Sequence, residues 1–418
     1  MSMVEKNYEV AKEIYAGIGV DTDAALESLA DISISMQCWQ GDDVKGFMFA
    51  DATLDGGIQC TGNYPGRARN FAELSADIDL ALSLIPGKHR LNLHAIYADT
   101  ERKVDLDSLE ASDFAGWIDF AKERGIALDF NPTCFSHPMA SDGFTISSLD
   151  DAKRRFWIEH CIRCREIAVE FTKKLGKRSV VNYWFPDGYK DIPADKAAPR
   201  ERMADALDCV FARKYSKDEI CESLESKLFG IGSESYTVAS NEFALSYALS
   251  RGKSITFDSG HFHPTEVISD KISAVMPFID EVLLHVSRPV RWDSDHVVIY
   301  DDELRSIACE IIRGGYLDRV NIGLDYFDGS ISRVAAWVIG MRSMQKALLY
   351  ALLEPAAALK SAETSGDYTT RLALAEELKT YPMSAVWDMF CERSGVPVRD
   401  KWIGVAEDYT RKVIADRG

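Results

Sequence analysis

Eight short runs rich in β-branched and apolar residues recur along the chain, and the stretches between them carry a different, helical periodicity. The runs are Ser33–Trp39, His89–Tyr97, Gly125–Asn131, Ser179–Phe185, Glu222–Phe229, Ser254–Asp258, Glu281–Val286 and Asp318–Asp325. Between them Phe71–Ile85, Leu149–Leu175, Arg202–Lys214, Ser240–Arg251, Pro264–Ile279 and Asp302–Arg313 place apolar residues three and four apart, the spacing of one helix face. Strands that alternate with helices run parallel through right-handed crossovers, and eight such units can close on themselves. The expected fold is α/β, a (β/α)8 TIM barrel, with an open doubly wound sheet as the rival that the pattern leaves standing.

After the eighth run the strands stop. Ile331–Glu354, Asp367–Lys379, Met383–Glu392 and Trp402–Asp416 all read as helices, the first closing the barrel and the rest forming a C-terminal helical extension. The expected division is a barrel with an N-terminal helix over residues 1–354 and a helical tail over 355–418, the break falling near Pro355 and Gly366. The apolar positions of that tail must be buried on the barrel or against a neighbouring subunit.

Composition narrows the partners. With 48 Lys and Arg against 66 Asp and Glu the net charge is −18, and no basic run with interleaved aromatics offsets it, so nucleic acid is not expected as a partner. Met1 to Val20 is peppered with Glu and Lys and has no apolar h-region, and nowhere does a charge-free apolar stretch reach a membrane-spanning length. Together with nine cysteines, an odd number, this leads to the expectation of a cytoplasmic protein with reduced thiols and no membrane contact.

Barrel active sites form where strands run into their βα loops, and here those positions are strongly polar. The second run ends near His94, the third at Asp129 and Asn131, and the fourth at Asn182 and Trp184. The fifth carries Glu225 and Lys227, two apart on a strand and therefore on one side, which in a barrel ringed by helices is the inside. Asp258 and His261 follow the sixth, His285 lies in the seventh, Asp293 and Asp295 in the loop after it, and Asp325 ends the eighth. One carboxylate near a loop is ordinary surface. Five converging on one mouth repel by several kcal/mol unless cations lie among them, and two divalent ions with Lys227 would balance them. Oxygen donors with one imidazole per ion favour Mn²⁺, Mg²⁺ or Co²⁺ over a structural Zn²⁺, and a neutral pocket suits an uncharged polyol.

Other motifs carry less. Cys161 and Cys164 form a C-x-x-C inside a helical run without a second pair, which reads as packing. His263 and His296 are one or two residues from candidate ligands, a spacing that turns them elsewhere. No G-x-G-x-x-G, Walker A, G-x-S-x-G or H-E-x-x-H occurs.

The strings CWQGDD, TGNYPG, NLHAIY, ESKLFGIG, DSGHFHPTEVISDKIS and HVSRPVRWDSDHVV, followed by DYTTRLALAEE in the tail, closely resemble the L-rhamnose isomerase family. The resemblance implies a barrel related to xylose isomerase, a homotetramer, and two divalent cations per subunit, Mn²⁺ preferred and Mg²⁺, Co²⁺ or Zn²⁺ as alternatives. It implies one ion on Glu225, Asp258, His285 and Asp325, and a second on His261, Asp293 and Asp295 with Asp258 shared. It further implies catalytic roles for Lys227, Asp293 and His261, and a sugar pocket lined by His94, Trp184, Phe130 and Lys227. The implied reaction opens L-rhamnose degradation: the aldose becomes the ketose L-rhamnulose, by a metal-assisted hydride shift from C2 to C1 or by an enediol route. The same barrel could serve another aldose or a metal-dependent ketose epimerase. A phosphodiesterase barrel fits the charge poorly, and a protein that only binds sugar has no need of five clustered acids.

Overall fold

The computed structural model describes residues 1–49, 54, 58–229 and 232–417. Its centre is a closed barrel of eight parallel strands: β1 Ser33–Gln37, β2 Lys88–His94, β3 Ala127–Asn131, β4 Ser179–Tyr183, β5 Ile220–Glu225, β6 Ser254–Asp258, β7 Val282–Val286 and β8 Val320–Leu324. Each strand pairs with the next, and β8 returns to β1 through Ile34 opposite Ile322 and Ser35 opposite Gly323. Closure leaves no edge and excludes the open sheet. A two-stranded ribbon of Gly188–Tyr189 and Tyr236–Thr237 lies outside the barrel sheet.

The helices in chain order are α1 Met3–Ala16, α2 Thr22–Asp31, α3 Phe71–Ser83, α4 Ala115–Arg124, α5 Asp151–Leu175, α6 Ala197–Val210, α7 Asn241–Arg251, α8 Ser269–Val275, α9 Asp302–Arg313, α10 Arg333–Leu352, α11 Ala356–Thr364, α12 Tyr368–Leu378, α13 Met383–Arg393 and α14 Lys401–Lys412. Their starts are set by local chemistry. Ser2 and Glu5 form a reciprocal capping box, and Asn70, Asp150, Asp301 and Ser332 each cap a first-turn N–H. Two spans differ from the periodicity. Pro264–Ile279 shrinks to α8, which ends at Val275 because Pro277 has no N–H with which to continue the helix. The sixth helix begins at Ala197 rather than Arg202, since Pro199 falls in the first turn, where its missing N–H would have had no partner anyway.

Strand alternation divides the barrel into two media. Inward positions form a polar column in which Ser223 bonds Thr256 and Thr256 bonds Asn182, above a small floor of Val180, Cys221 and Leu283. Outward positions carry the apolar load against the helices, as where Phe130 meets Phe114 and Phe171 edge-on with centroids 5.0 and 5.4 Å apart. The sequence reading placed Phe130 in the pocket; it is on the outward face of β3, one residue out of phase with Asp129 and Asn131. Asp129 is corrected as well. It faces inward but at the opposite end of the barrel, bound by Ser35 and Arg90.

The chain ends close this layer. Helix α10 is buried along nearly its whole length, covered by α2, α3, α9, α13 and α14. The tail reaches the barrel through α13, which packs on α1, and through Arg417, whose guanidinium grips Asp77 of α3 at 2.6 and 2.7 Å. Cys161 and Cys164 are buried in α5. No helix among the described residues is long and apolar enough to cross a membrane.

His160 of α5 ties two loops together from full burial, donating through Nδ1 to Leu106 O at 2.9 Å and accepting the Thr133 N–H on Nε2 at 3.0 Å. Burial holds its pKa down at about 4, so below the ordinary value of 6.5 the unfolded chain takes up the proton first and stability drains away until pH reaches about 4. His160 alone should account for about 3 kcal/mol over that window. Thermal unfolding of the wild type and His160→Gln at pH 7.5 and 4.5 should show a shallower loss in the variant. An equal loss would remove His160 as a source of acid sensitivity.

Candidate metal centre

The carboxyl ends of β5 to β8 and the loops that follow bring together every metal-ligand candidate read from the sequence. Glu225, Asp258, His285 and Asp325 form one group of donor atoms within 4.8 Å of one another, and Asp258, His261 and Asp293 form a second. Asp258 belongs to both. Asp295, half-buried, lines the same cavity beside them, as do Lys227, His94 and Trp184. Strand β5 ends at Glu225, so Lys227 lies two residues beyond it, yet it is still directed inward, with Nζ 4.6 Å from the centre of the Trp184 ring. His263 and His296 turn away to Thr265 and Ser294. The ESKLFGIG string runs into residues 230 and 231, outside the described residues.

The local chain is shaped for this cluster. Asp258 accepts the Gly260 N–H at 2.6 Å, which bends the chain back so that His261 rises beside its own strand end. A Cβ at Gly260 would lie 2.2 Å from Asp293 Oδ1, so any larger residue there displaces that carboxylate. Glu225 is bonded by Asn182, itself held by Thr256, and Trp39 Nε1 donates to Asp325 Oδ1 at 3.0 Å. Asn182, Trp39, Asn131, Phe135, Val44, Ile58 and Phe327 complete the cavity wall. Asn182 was visible as a polar strand end and Trp39 as part of CWQGDD, whereas Val44, Ile58 and Phe327 come from loops with no periodicity to read.

The electrostatics are those of charges forced together out of water. Burial would raise Glu225, but His285 and His261 hold its carboxyl well below the usual range. Burial raises Asp258 well above it, with Glu225, Asp293 and Asp325 adding to the rise against the pull of His261. Asp295 is raised by burial and by Asp293, Asp325 and Asp258. Asp293 resists burial and stays low beside His261 and Lys227. Burial brings Lys227 down to about 8 against three neighbouring acids, and brings His94 down to about 3.

The imidazoles give the test of fit. His261 Nδ1 lies 3.1 Å from Glu225 Oε1, and His285 Nδ1 lies 3.2 Å from Glu225 Oε2 and 3.1 Å from Asp325 Oδ2. Despite those distances, His261 Nδ1, both His285 nitrogens and Asp293 Oδ1 are buried without a hydrogen-bond partner among the described residues. Buried polar atoms are rarely left so. Atoms that crowd together off the hydrogen-bonding direction, in sets of oxygens with one imidazole, are arranged as ligands around a divalent cation.

Comparison with known proteins decides the family. The model of the family L-rhamnose isomerase (RhaA) matches residues 2–417. The chain belongs to the L-rhamnose isomerase family. It is 55% identical over 414 residues to an L-rhamnose isomerase of Rhodopirellula baltica, covering 99% of this chain and 97% of that one. It is 54% identical over 417 residues to an L-rhamnose isomerase of Escherichia coli O9:H4, covering 100% of both. Among solved structures, a D-allulose 3-epimerase from Methylomonas sp. is similar at 10% identity and a TM-score of 0.48, over 76% of this chain and 98% of that one. The barrel and the isomerase class expected from the sequence both stand.

A cation that fills these donor sets binds the folded chain only, and so stabilises it by mass action. Added Mn²⁺ or Co²⁺ should raise the unfolding midpoint of EDTA-treated protein, by the equivalent of about 3 kcal/mol at a hundredfold excess over Kd. No shift with either ion would mean that protons, not metals, keep the carboxylates together.

Proposed function

We propose that this chain interconverts L-rhamnose and L-rhamnulose with two divalent cations per subunit, Mn²⁺ in the working enzyme. What carries the reading is the pair of donor groups joined through Asp258 at the floor of a cavity walled also by Trp39, Val44, Ile58, Phe135, Trp184 and Phe327, in a chain of this family. Glu225, Asp258, His285 and Asp325 would hold one ion, and Asp258, His261 and Asp293, with Asp295 beside them, the other. Such ions supply a Lewis acid for the C1 carbonyl and fix the O1 and O2 oxygens of the opened sugar.

The chain's own residues do the rest. Lys227, protonated near neutral pH and pressed against Trp184, sets a positive charge where negative charge develops on the sugar oxygens. His94, neutral through burial and packed edge-on against Trp39 and Phe135, offers a ring nitrogen to a sugar hydroxyl. Trp39, Phe135, Trp184 and Phe327 exclude water from the reacting carbons. A dry cavity whose carboxylates lie in or against the donor groups suits direct transfer of hydride from C2 to C1 better than proton exchange through a free base. We place the enzyme in the cytoplasm as a homotetramer. Apolar side chains left exposed on the outer helices, Tyr368 and Leu372 of α12 and Val10 and Ile14 of α1, support assembly.

EDTA-treated protein given L-rhamnose deuterated at C2 should form ketose only after Mn²⁺ is restored, with the deuterium retained at C1. Washout to solvent would replace the hydride shift by an enediol route. Silence with two ions bound would move the substrate to another aldose. Asp293→Asn should keep the fold and lower kcat by about a hundredfold, the scale of a misplaced catalytic ion. Unchanged turnover would take Asp293 out of the site.

A further inference from the structure

Two consecutive residues of the turn after β1, Asp43 and Val44, have φ of 62° and 61°. A left-handed backbone is unfavourable for any residue with a Cβ, most of all a β-branched one, and persists only where the surroundings over-determine it. Two clamps do so here. Asp42, buried, accepts from Tyr97 Oη at 2.6 Å and from the Gly46 N–H at 2.6 Å. Asp43 is gripped through both oxygens by Arg333, the first residue of α10, with Nε to Oδ1 and Nη2 to Oδ2 each at 2.8 Å.

The same guanidinium, 5% exposed, donates through Nη1 to the carbonyls of Tyr64 at 2.9 Å and Pro65 at 3.3 Å. Gly329 bonds Thr61 and Tyr64 through its backbone, and Gly62 approaches it so closely that a Cβ would lie 2.1 Å from the Gly329 carbonyl carbon. Segments 38–46, 58–66 and 326–333 thus converge on one buried cation. Each sends an apolar side chain into the cavity: Val44, Ile58 and Phe327.

We infer that Arg333 is a positioning residue, holding the turn at Asp43 and Val44 in its strained form and thereby setting the apolar wall against which the methyl end of the substrate lies. The inference rests on the proposed sugar substrate. Lysine cannot replace the planar fork, which serves two carboxylate oxygens and two carbonyls at once. Loss of the fork lets Val44 relax to negative φ and withdraws the wall, while the donors at the ends of β5 to β8 and in the loops after β6 and β7 lose no bond, since the guanidinium bonds Asp43, Tyr64 and Pro65.

The test uses Arg333→Lys, Arg333→Gln, Asp43→Asn and the double variant Arg333→Gln with Asp43→Asn, each loaded with Mn²⁺. KM for L-rhamnose should rise by about tenfold or more, with kcat within about threefold and cation stoichiometry equal to the wild type. Preference for L-rhamnose over L-mannose, which has a hydroxyl at C6, should fall by about fivefold. The double variant should be no worse than the worse single, because both substitutions remove one interaction. Unchanged KM in folded variants, additive effects, or joint loss of kcat and metal would overturn the assignment. Asp43→Asn preserves shape and serves if the Arg333 variants do not fold. Should the metal-loaded wild type be inert toward L-rhamnose, the substrate reading fails and the crystal structure of Asp43→Asn decides the positioning role. Val44 out of the left-handed region supports it, and an unmoved Val44 overturns it.

Discussion

Charge crowded out of water at one end of the barrel is the constraint to which the rest of the molecule answers. Two carboxylates about 4 Å apart repel by about 4 kcal/mol at an effective dielectric near 20, and five share this mouth. Positive charge must therefore arrive with them, from histidine, from lysine and, in the proposed enzyme, from cations. The strands deliver them at fixed depth: Asp258 stands opposite His285 in the register of β6 and β7, and Gly323 opposite His285 on β8 leaves the imidazole its room. The interior below continues the theme, since Asn182, Thr256 and Ser223 form a bonded column that supports Glu225 from beneath.

A barrel filled with polar groups cannot owe its stability to its inside. The apolar burial lies one layer out, where Phe114, Phe130 and Phe171 interlock and Trp117, Trp157 and Trp337 are wholly buried. Helix α10 takes this furthest: apolar on nearly every side, it needs cover on nearly every side, and α2, α13 and α14 supply what the barrel alone cannot. The extensions at both chain ends are thus part of the same core, and α10 links that core to the mouth through Arg333.

All eight strands were legible because each is a short apolar run bounded by turns, and α9 was legible to the residue because Asp301 caps it and Arg313 ends it before a glycine pair. The donor set was legible for a related reason: strand ends point at barrel mouths, so an acid at a strand end is placed by topology before any coordinate is known. Errors arose where phase mattered more than position. Phe130 and Asp129 lie on the same strand as Asn131, but alternation sends Phe130 outward and strand depth sends Asp129 to the far end, where Arg90 neutralises it. Loop residues were out of reach altogether. Nothing in the surroundings of Val44 or Ile58 announces a cavity wall, because a left-handed turn held by a residue almost three hundred positions away has no local signature.

This division has a chemical consequence. The metal side of the cavity rests on the ends of β5 to β8, where Glu225, Asp258 and His285 cannot drift without opening the sheet, and on His261 and Asp293 in the loops after β6 and β7. Across from Phe135 and Trp184, the apolar side is made by loops after β1 and β8 and by the 58–66 segment, which are joined to one another by backbone contacts and by a single guanidinium. On the proposed reading, reaction type is tied to the fold, while the choice among aldoses falls to parts that can shift by a fraction of an ångström without disturbing it. A methyl group commands only about 1–3 kcal/mol of discrimination, so a wall that moves slightly loses most of its selectivity. Trp39 spans the two sides, lining the wall while its indole N–H holds Asp325 at 3.0 Å, so the apolar side remains in register with the donors it faces.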